Sequence, residues 1–321
     1  MRLRLAASYA FSLALLLALL LLVDLRQVAG QVVAFGVLPS LIYIALYASN
    51  FFFRAVKWKY ILKPFANVRL ADSYHIMMLG FFANNLLPAR IGEVIRAYAL
   101  SKKYGIGKVK SFATVVVDRV TDGAALIGLL ALAFAFSERI PAAFEQLVLL
   151  PVLVFAVLLA VFLFPQKTKR LLSPFVRLLP EALQGKFEFL LEETVVGGKA
   201  LRGNLTYKVA IWGSSAAVWA IHVLTFYYVA RQMGLPLGLV DLALFTALAS
   251  FAVMVPAAPG YIGTYEAAVA AFFVAYGLDV NQGLAFAVVT HALQLLTIAV
   301  LGYWSTHRLG MKVGEMLNRS L

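Results

Sequence analysis

Arg90, Glu93, Arg96, Asp118, Arg119, Asp122, Glu266 and His291 all fall inside stretches that are otherwise apolar. An ionised side chain in hydrocarbon costs about 2.5–3.5 kcal/mol on insertion scales, so such residues face a polar cavity or one another. On helices, Glu93 with Arg96, Asp118 with Asp122 and Arg119 with Asp122 share faces by their i,i+3 or i,i+4 spacing. Ion pairs that hold helices together account for this pattern, most simply at Arg96 and Asp118. Arg90 and Glu266 fit binding chemistry better. A helix starting near Gly92 would turn unpaired N–H groups and the positive end of its dipole toward a phosphate or carboxylate, and Arg90 would add a bidentate contact. Asn84 and Asn85, just before this start, either satisfy unwound backbone or meet a headgroup. Glu266, beyond Pro256, Pro259, Gly260 and Gly263, offers the opposite charge, suited to an amine or a proton. His291, with Gln294 nearby, joins the candidates, whereas His222 reads as an interhelical hydrogen-bonding histidine. Arg54, Lys57 and Trp58 read first as interfacial anchors, with Arg54 also a candidate for the mouth of a cavity.

Other chemistries lack their residues. The chain has no cysteine, and its histidines at 75, 222, 291 and 307 are scattered, with no HExxH helix and no apparent Ser–His–Asp set. No catalytic group, cofactor or metal site is expected, and the chain is read as a non-enzyme. The net charge of +13 would point to nucleic acid in a soluble protein. In this chain the charge distribution serves orientation instead.

The elements that must position these groups are membrane spans. Of 321 residues, 63% are hydrophobic and 13% charged, and the mean hydropathy is +0.88, far from the balance of soluble domains. Apolar segments near 5–23, 36–53, 111–136, 147–165, 209–230 and 284–305 are long enough for full spans. Those at 73–88, 91–101, 241–256 and 259–277 are short, broken by Pro, Gly and Asn, and adjacent in pairs, which predicts re-entrant hairpins. With that topology the predicted cytoplasmic segments hold 22 of the 28 Lys and Arg and the outside only Arg26, Arg139 and Arg231, as the positive-inside rule requires. The reading is an all-α polytopic membrane protein with about six full transmembrane helices. Both termini are cytoplasmic and the expected location is the cell inner membrane. The connector 166–208, with Phe175, Leu178, Leu179, Leu183, Phe187, Leu190 and Leu191 on one helical face, is expected to lie on the cytoplasmic surface.

The hairpins repeat. Pro88-Ala89-Arg90-Ile91-Gly92 matches Pro259-Gly260-Tyr261-Ile262-Gly263, with Glu93 and Glu266 just beyond and Asp72 and Asp241 opening each hairpin. The chain is thus a single transmembrane domain of two halves, 1–136 with hairpin 73–101 and 147–305 with hairpin 241–277. The charge-derived topology makes them inverted, an arrangement found in many secondary transporters.

At Leu87-Pro88-Ala89-Arg90-Ile91-Gly92-Glu93-Val94-Ile95-Arg96, Asp118-Arg119-Val120-Thr121-Asp122 and Pro259-Gly260-Tyr261-Ile262-Gly263-Thr264-Tyr265-Glu266 the chain resembles the lysylphosphatidylglycerol synthase transmembrane-region family, which includes the flippase half of the multiple peptide resistance factor. The resemblance spans nearly the whole chain. It implies a lipid flippase or scramblase that moves a phospholipid, glycolipid or polyprenyl-phosphate headgroup between leaflets. Arg90 and Arg119 would hold phosphate, and Glu93, Asp118 and Glu266 would balance charge, bind amine or couple protons. Tyr261 stands where a glycine is expected. No soluble synthetase domain is expected after the last span, so lysyl-phosphatidylglycerol is not assumed as the substrate. Alternatives are a small-anion or ion-coupled secondary transporter using the same site and a membrane-embedded lipid-modifying enzyme. The expected partner is a membrane lipid substrate and not nucleic acid; a homo-oligomer and a separate lipid-synthesising enzyme are left open.

Overall fold

A computed structural model describes residues 2–87, 90–137, 140–176, 185, 198–253 and 258–311. Among these residues every regular element is helical: α1 (Arg2–Leu20), α2 (Leu25–Phe35), α3 (Val37–Leu62), α4 (Leu70–Leu86), α5 (Gly92–Tyr104), α6 (Lys108–Phe136), α7 (Ala142–Leu163), α8 (Pro165–Val176), α9 (Leu205–Gln232), α10 (Leu239–Ala252), α11 (Thr264–Ala275) and α12 (Val280–Leu309), with 3-10 turns at Gly198–Arg202 and Pro259–Tyr261.

Four of these, α3, α6, α9 and α12, are long and apolar enough to cross a membrane. Leu17, Leu21, Leu149, Leu153, Leu224 and Val300 are exposed, while Asn50, Arg54, Lys57, Arg96, Asp118 and Asp122 are buried. A soluble protein would show the reverse. Apolar exterior and charged interior fit hydrocarbon as the solvent, and the chain is a multi-pass membrane protein.

The first expected span differs from its prediction. The helix ends at Leu20, and α2 leaves at an angle of 96°, so the two make a fifth span only if counted as one bent element. The corner has a local cause. The Asp24 carboxylate accepts the N–H groups of Arg26 and Gln27 at 2.8 and 3.3 Å and caps α2. Its own N–H donates to Asn281 Oδ1 at 2.7 Å, tying the corner to the start of α12. α7, expected as a span, has 22 residues, about 33 Å at 1.5 Å per residue. Of the amphipathic connector, α8 covers the first part; Leu178, Leu179, Leu183, Phe187, Leu190 and Leu191 lie outside the described residues.

The short helices fall where the breaks predicted them. α4 and α5 form one pair, α10 and α11 the other. α3 packs along α9 at the centre; α4 lies between α3, α5 and α12, and α10 lies between α9, α11 and α6. α11 packs on α12 and α1, as α5 packs on α6. The α4–α5 crossing depends on two glycines. A Cβ on Gly92 would run into the Gly80 carbonyl oxygen and the Asn84 side chain, and one on Gly80 would lie 2.9 Å from the Gly92 carbonyl oxygen.

Helix propensity favours alanine over glycine by about 1 kcal/mol in a helix interior. Gly92→Ala is nonetheless expected to lower the thermal midpoint of the detergent-solubilised protein, since neighbouring backbone must move. Gly213→Ala in α9, with open space at the Cβ position, is expected to leave the midpoint unchanged or raise it. Equal midpoints for the two variants would contradict the close crossing.

Candidate functional site

The central helices meet at a cluster of charge built from three stripes. Asn50, Arg54 and Lys57 follow one another at i, i+4 and i+7 on α3. Asp118, Arg119 and Asp122 occupy one stretch of α6, and Glu93 and Arg96 lie on the first turns of α5. Arg54 Nη1 lies 2.9 Å from Asp122 Oδ2, and Arg54 Nε donates to Asn50 Oδ1 at 3.0 Å. Lys57 Nζ bridges both aspartates, 2.9 Å from Asp118 Oδ1 and 2.5 Å from Asp122 Oδ1. Arg96 Nη1 reaches Asp118 Oδ2 at 2.7 Å, and its guanidinium lies over the Trp58 ring, 3.8 Å from the centroid. Arg119 stands within 3.3 Å of Asp118, 3.5 Å of Asp122 and 3.7 Å of Glu93.

Lys57 and Trp58, expected as interfacial anchors, are fully buried. The i, i+4 and i+7 spacing puts Lys57 on one face with Asn50 and Arg54, and packing against α6 brings that face to the aspartates. The basic asymmetry of the loops survives without Arg54 and Lys57.

The expected free helix start at Gly92 is closed. Asn84 Oδ1 accepts the Gly92 N–H at 2.8 Å, the Arg90 carbonyl accepts from Glu93, and the Ile91 carbonyl accepts from Val94 and Ile95. Asn84 therefore satisfies backbone. At the second break Glu266 Oε2 accepts the Gly263 N–H at 2.7 Å, capping α11. Both breaks thus carry a hydrogen bond from a side chain to the backbone at the helix start.

Side chains of both breaks line a cavity of about 180 Å³. Asn84, Asn85, Arg90, Glu93, Arg119, Asp122 and His291 are on its wall, joined by Tyr47, Trp219, His222, Tyr261, Tyr265 and Gln294, to which sequence reasoning had given no cavity role. Arg54, Arg96, Asp118 and Glu266 stand behind the wall. Arg96 and Asp118 are nearly inaccessible and bonded to each other, a contact between α5 and α6. His222 holds the Val218 carbonyl at 3.0 Å within α9.

Arg90 bridges the two breaks: its Nη2 donates to the Val253 carbonyl at the end of α10 at 2.5 Å, and its guanidinium lies over the Tyr261 ring at 5.3 Å. Arg90 (φ 55°) and Tyr261 (φ 62°) are the non-glycine residues with positive φ among the described ones. Tyr261 thus holds the left-handed conformation for which a glycine was expected. On the residues of the cavity wall, four buried donors, Asn85 Nδ2, Arg90 Nε, Arg119 Nε and Trp219 Nε1, have no hydrogen bond among the described residues. In their ionised forms, Arg54, Lys57, Arg90, Arg96 and Arg119 face Glu93, Asp118 and Asp122, five cations to three carboxylates.

Removing one member of a buried ion pair costs about 3–5 kcal/mol because the partner stays charged. Lys57→Met is expected to lose that order of stability in thermal or denaturant unfolding in lipid nanodiscs. Adding Asp118→Asn should restore part of the loss; a double variant no more stable than the single would show that Lys57 is not held by charge.

The family model described as Lysylphosphatidylglycerol synthase TM region matches residues 5–302. A UPF0104 membrane protein of Pyrococcus horikoshii, PH1989, is 27% identical over 267 residues, covering 74% of this chain and 77% of the relative. One from Methanothermobacter thermautotrophicus is 24% identical over 306 residues, covering 92% and 90%. Glycosyltransferase AglD of Haloferax volcanii is 25% identical over 269 residues, 74% of this chain and 43% of that protein. No solved structure matches.

Proposed function

Because the chain belongs to the family of the lysylphosphatidylglycerol synthase TM region, we propose that it is a lipid flippase or scramblase that carries an anionic headgroup between leaflets of the inner membrane while the acyl or isoprenoid chains stay in the bilayer. One observation carries this reading: Asn85, Arg90 and Arg119, on the wall of a cavity between membrane helices, each keep a buried donor that has no hydrogen bond among the described residues. Buried donors left empty cost about 1–3 kcal/mol each, and an excess of cations over carboxylates selects an acceptor-rich anion such as a phosphate. A cavity of about 180 Å³ accommodates a headgroup and not a whole lipid.

In this reading α3–α6 and α9–α12 are the inverted repeats, with α3 equivalent to α9, α6 to α12, and the α4–α5 and α10–α11 pairs as re-entrant hairpins. Arg90 and Tyr261 are then equivalent positions that share a positive φ and touch across the repeat axis. Two halves related in this way can exchange conformations and open the cavity to one face and then the other. The basic loops at 102–110 and 198–208 would be cytoplasmic.

The absence of cysteine makes the orientation directly testable. In intact cells, a cysteine replacing Arg231 should react with a membrane-impermeant maleimide, and one replacing Lys199 should react only after the membrane is opened. The opposite pattern would invert the topology. Transport is read in liposomes containing fluorescently labelled phosphatidylglycerol. The wild type should move label across the bilayer, and Arg90→Ala or Arg119→Ala should slow it at least about tenfold, the equivalent of 1.4 kcal/mol. Equal rates for wild type and Arg90→Ala would end this reading. Uptake of inorganic phosphate without lipid movement would support a small-anion transporter, and a modified lipid product would support a lipid-modifying enzyme.

A further inference from the structure

The second break contains a pair of titratable groups that anion binding does not use directly. His291, buried on α12, is held from both sides: its Nε2 lies 2.7 Å from the Gly260 carbonyl oxygen and its Nδ1 lies 2.6 Å from Glu266 Oε1. A backbone carbonyl only accepts, so Nε2 carries a hydrogen. Nδ1 then has two options, to carry a second hydrogen or to accept one from a protonated Glu266. A bare carboxylate facing the imidazole lone pair at this distance is repulsive. Either arrangement holds one proton more than a free carboxylate beside a neutral imidazole.

We propose that Glu266 and His291 form a proton-binding site built into the second break, and that its proton is taken up together with the anion in the adjoining cavity. The coupling rests on the anion-binding reading above; the proton site does not. With its proton the pair is neutral, and without it the pair carries a negative charge in the cavity wall. The surroundings offer little local compensation. On its own hairpin the pair has Tyr265, whose ring lies 4.6 Å from that of His291 and whose hydroxyl is paired with Thr290 Oγ1. Tyr43 of α3 is engaged with the Thr290 carbonyl and with Gln294, and Tyr47 lies on the same wall. α1 meets the Gly263 side with Ser12 and Leu16. The remaining charged or titratable groups face it from across the cavity: Arg90, Glu93, Arg119, Asp122, Tyr261 and His222.

Two consequences follow from proton release. The negative charge attracts Arg90 and Arg119, the groups an anion needs, so anion and carboxylate compete. The contacts on both sides of Gly260 (φ 65°) and Gly263 (φ 90°) are also disturbed, because one His291 nitrogen loses the hydrogen it shared. Arg90 stacks on Tyr261, the residue next to Gly260, so the change reaches the anion site through the break itself. Protonation therefore favours the anion-loaded state, and by reciprocity anion binding raises proton affinity.

Nitrogen-15 histidine resonance on the full chain in nanodiscs tests the site directly, with His291→Gln to assign its signals among the four histidines. The expected result is a strongly deshielded proton shared between His291 Nδ1 and Glu266 that disappears in Glu266→Gln. A His291 that titrates like an ordinary imidazole in both proteins overturns the site. Coupling is read from calorimetric binding of dihexanoyl phosphatidylglycerol in buffers of different ionisation enthalpy across a pH series. The wild type should take up as much as about one proton per anion bound, and Glu266→Gln should bind with none. The same uptake in both, or none in either, overturns the coupling. If the wild type does not bind the anion, the anion-site reading and the coupling fall together, while the resonance result still decides the proton site.

Discussion

Two aspartates in the middle of a membrane span must keep their charges neutralised by groups brought from other helices. Asp118 and Asp122 lie on α6, and both are buried. Lys57 contacts both, Arg54 one and Arg96 the other, so α3, α5 and α6 are joined at one point. An unpaired ion in that position would cost several kcal/mol, more than a few apolar contacts can offset. Much of the fold is arranged so that these cations arrive: Arg96 comes from a short helix whose tight crossing with α4 needs glycine at 80 and 92, and its guanidinium is flattened against Trp58.

This constraint divides the charged residues into two groups. Those closest to the aspartates form ion pairs that hold helices in place. Arg119, although it touches the same carboxylates at longer distances, keeps Nε free of hydrogen bonds among the described residues and lies on the cavity wall. Arg90 is separated from the aspartates by the break and turns toward the other hairpin. What sets Arg90 and Arg119 apart from Arg96 is their place on the cavity wall, near the breaks where Arg90 and Tyr261 hold positive φ. Strained non-glycine backbone persists only when its surroundings over-determine it, as the stacking of these residues and the Arg90 bond to the Val253 carbonyl do here.

At the breaks, Asn84 accepts the N–H of Gly92 at the start of α5, and Glu266 accepts the N–H of Gly263 just before α11. Both bonds are made within the chain. The direction of the guanidinium and amide side chains on the cavity wall depends on packing between helices that are distant in sequence.

The amino-acid sequence by itself determined the all-helical membrane class, the positions of the short helices on either side of the Pro-containing breaks, and the placing of Glu93 with Arg96, and of Asp118 and Arg119 with Asp122, on shared helical faces. These follow from hydropathy, chain-breaking residues and i,i+3 or i,i+4 spacing, which are local properties. Only the tertiary structure decided that Lys57 is buried between two carboxylates, that the start of α5 is capped by Asn84, that the first apolar stretch turns a corner at Asp24, and that Glu266 meets His291. Each of these depends on a partner far along the chain or on a backbone turn that no periodicity encodes; Lys57 and Asp118 are brought together by helix packing, and until the helices pack, a lysine near the end of an apolar segment has the same local signature whether it snorkels to the surface or neutralises an aspartate inside.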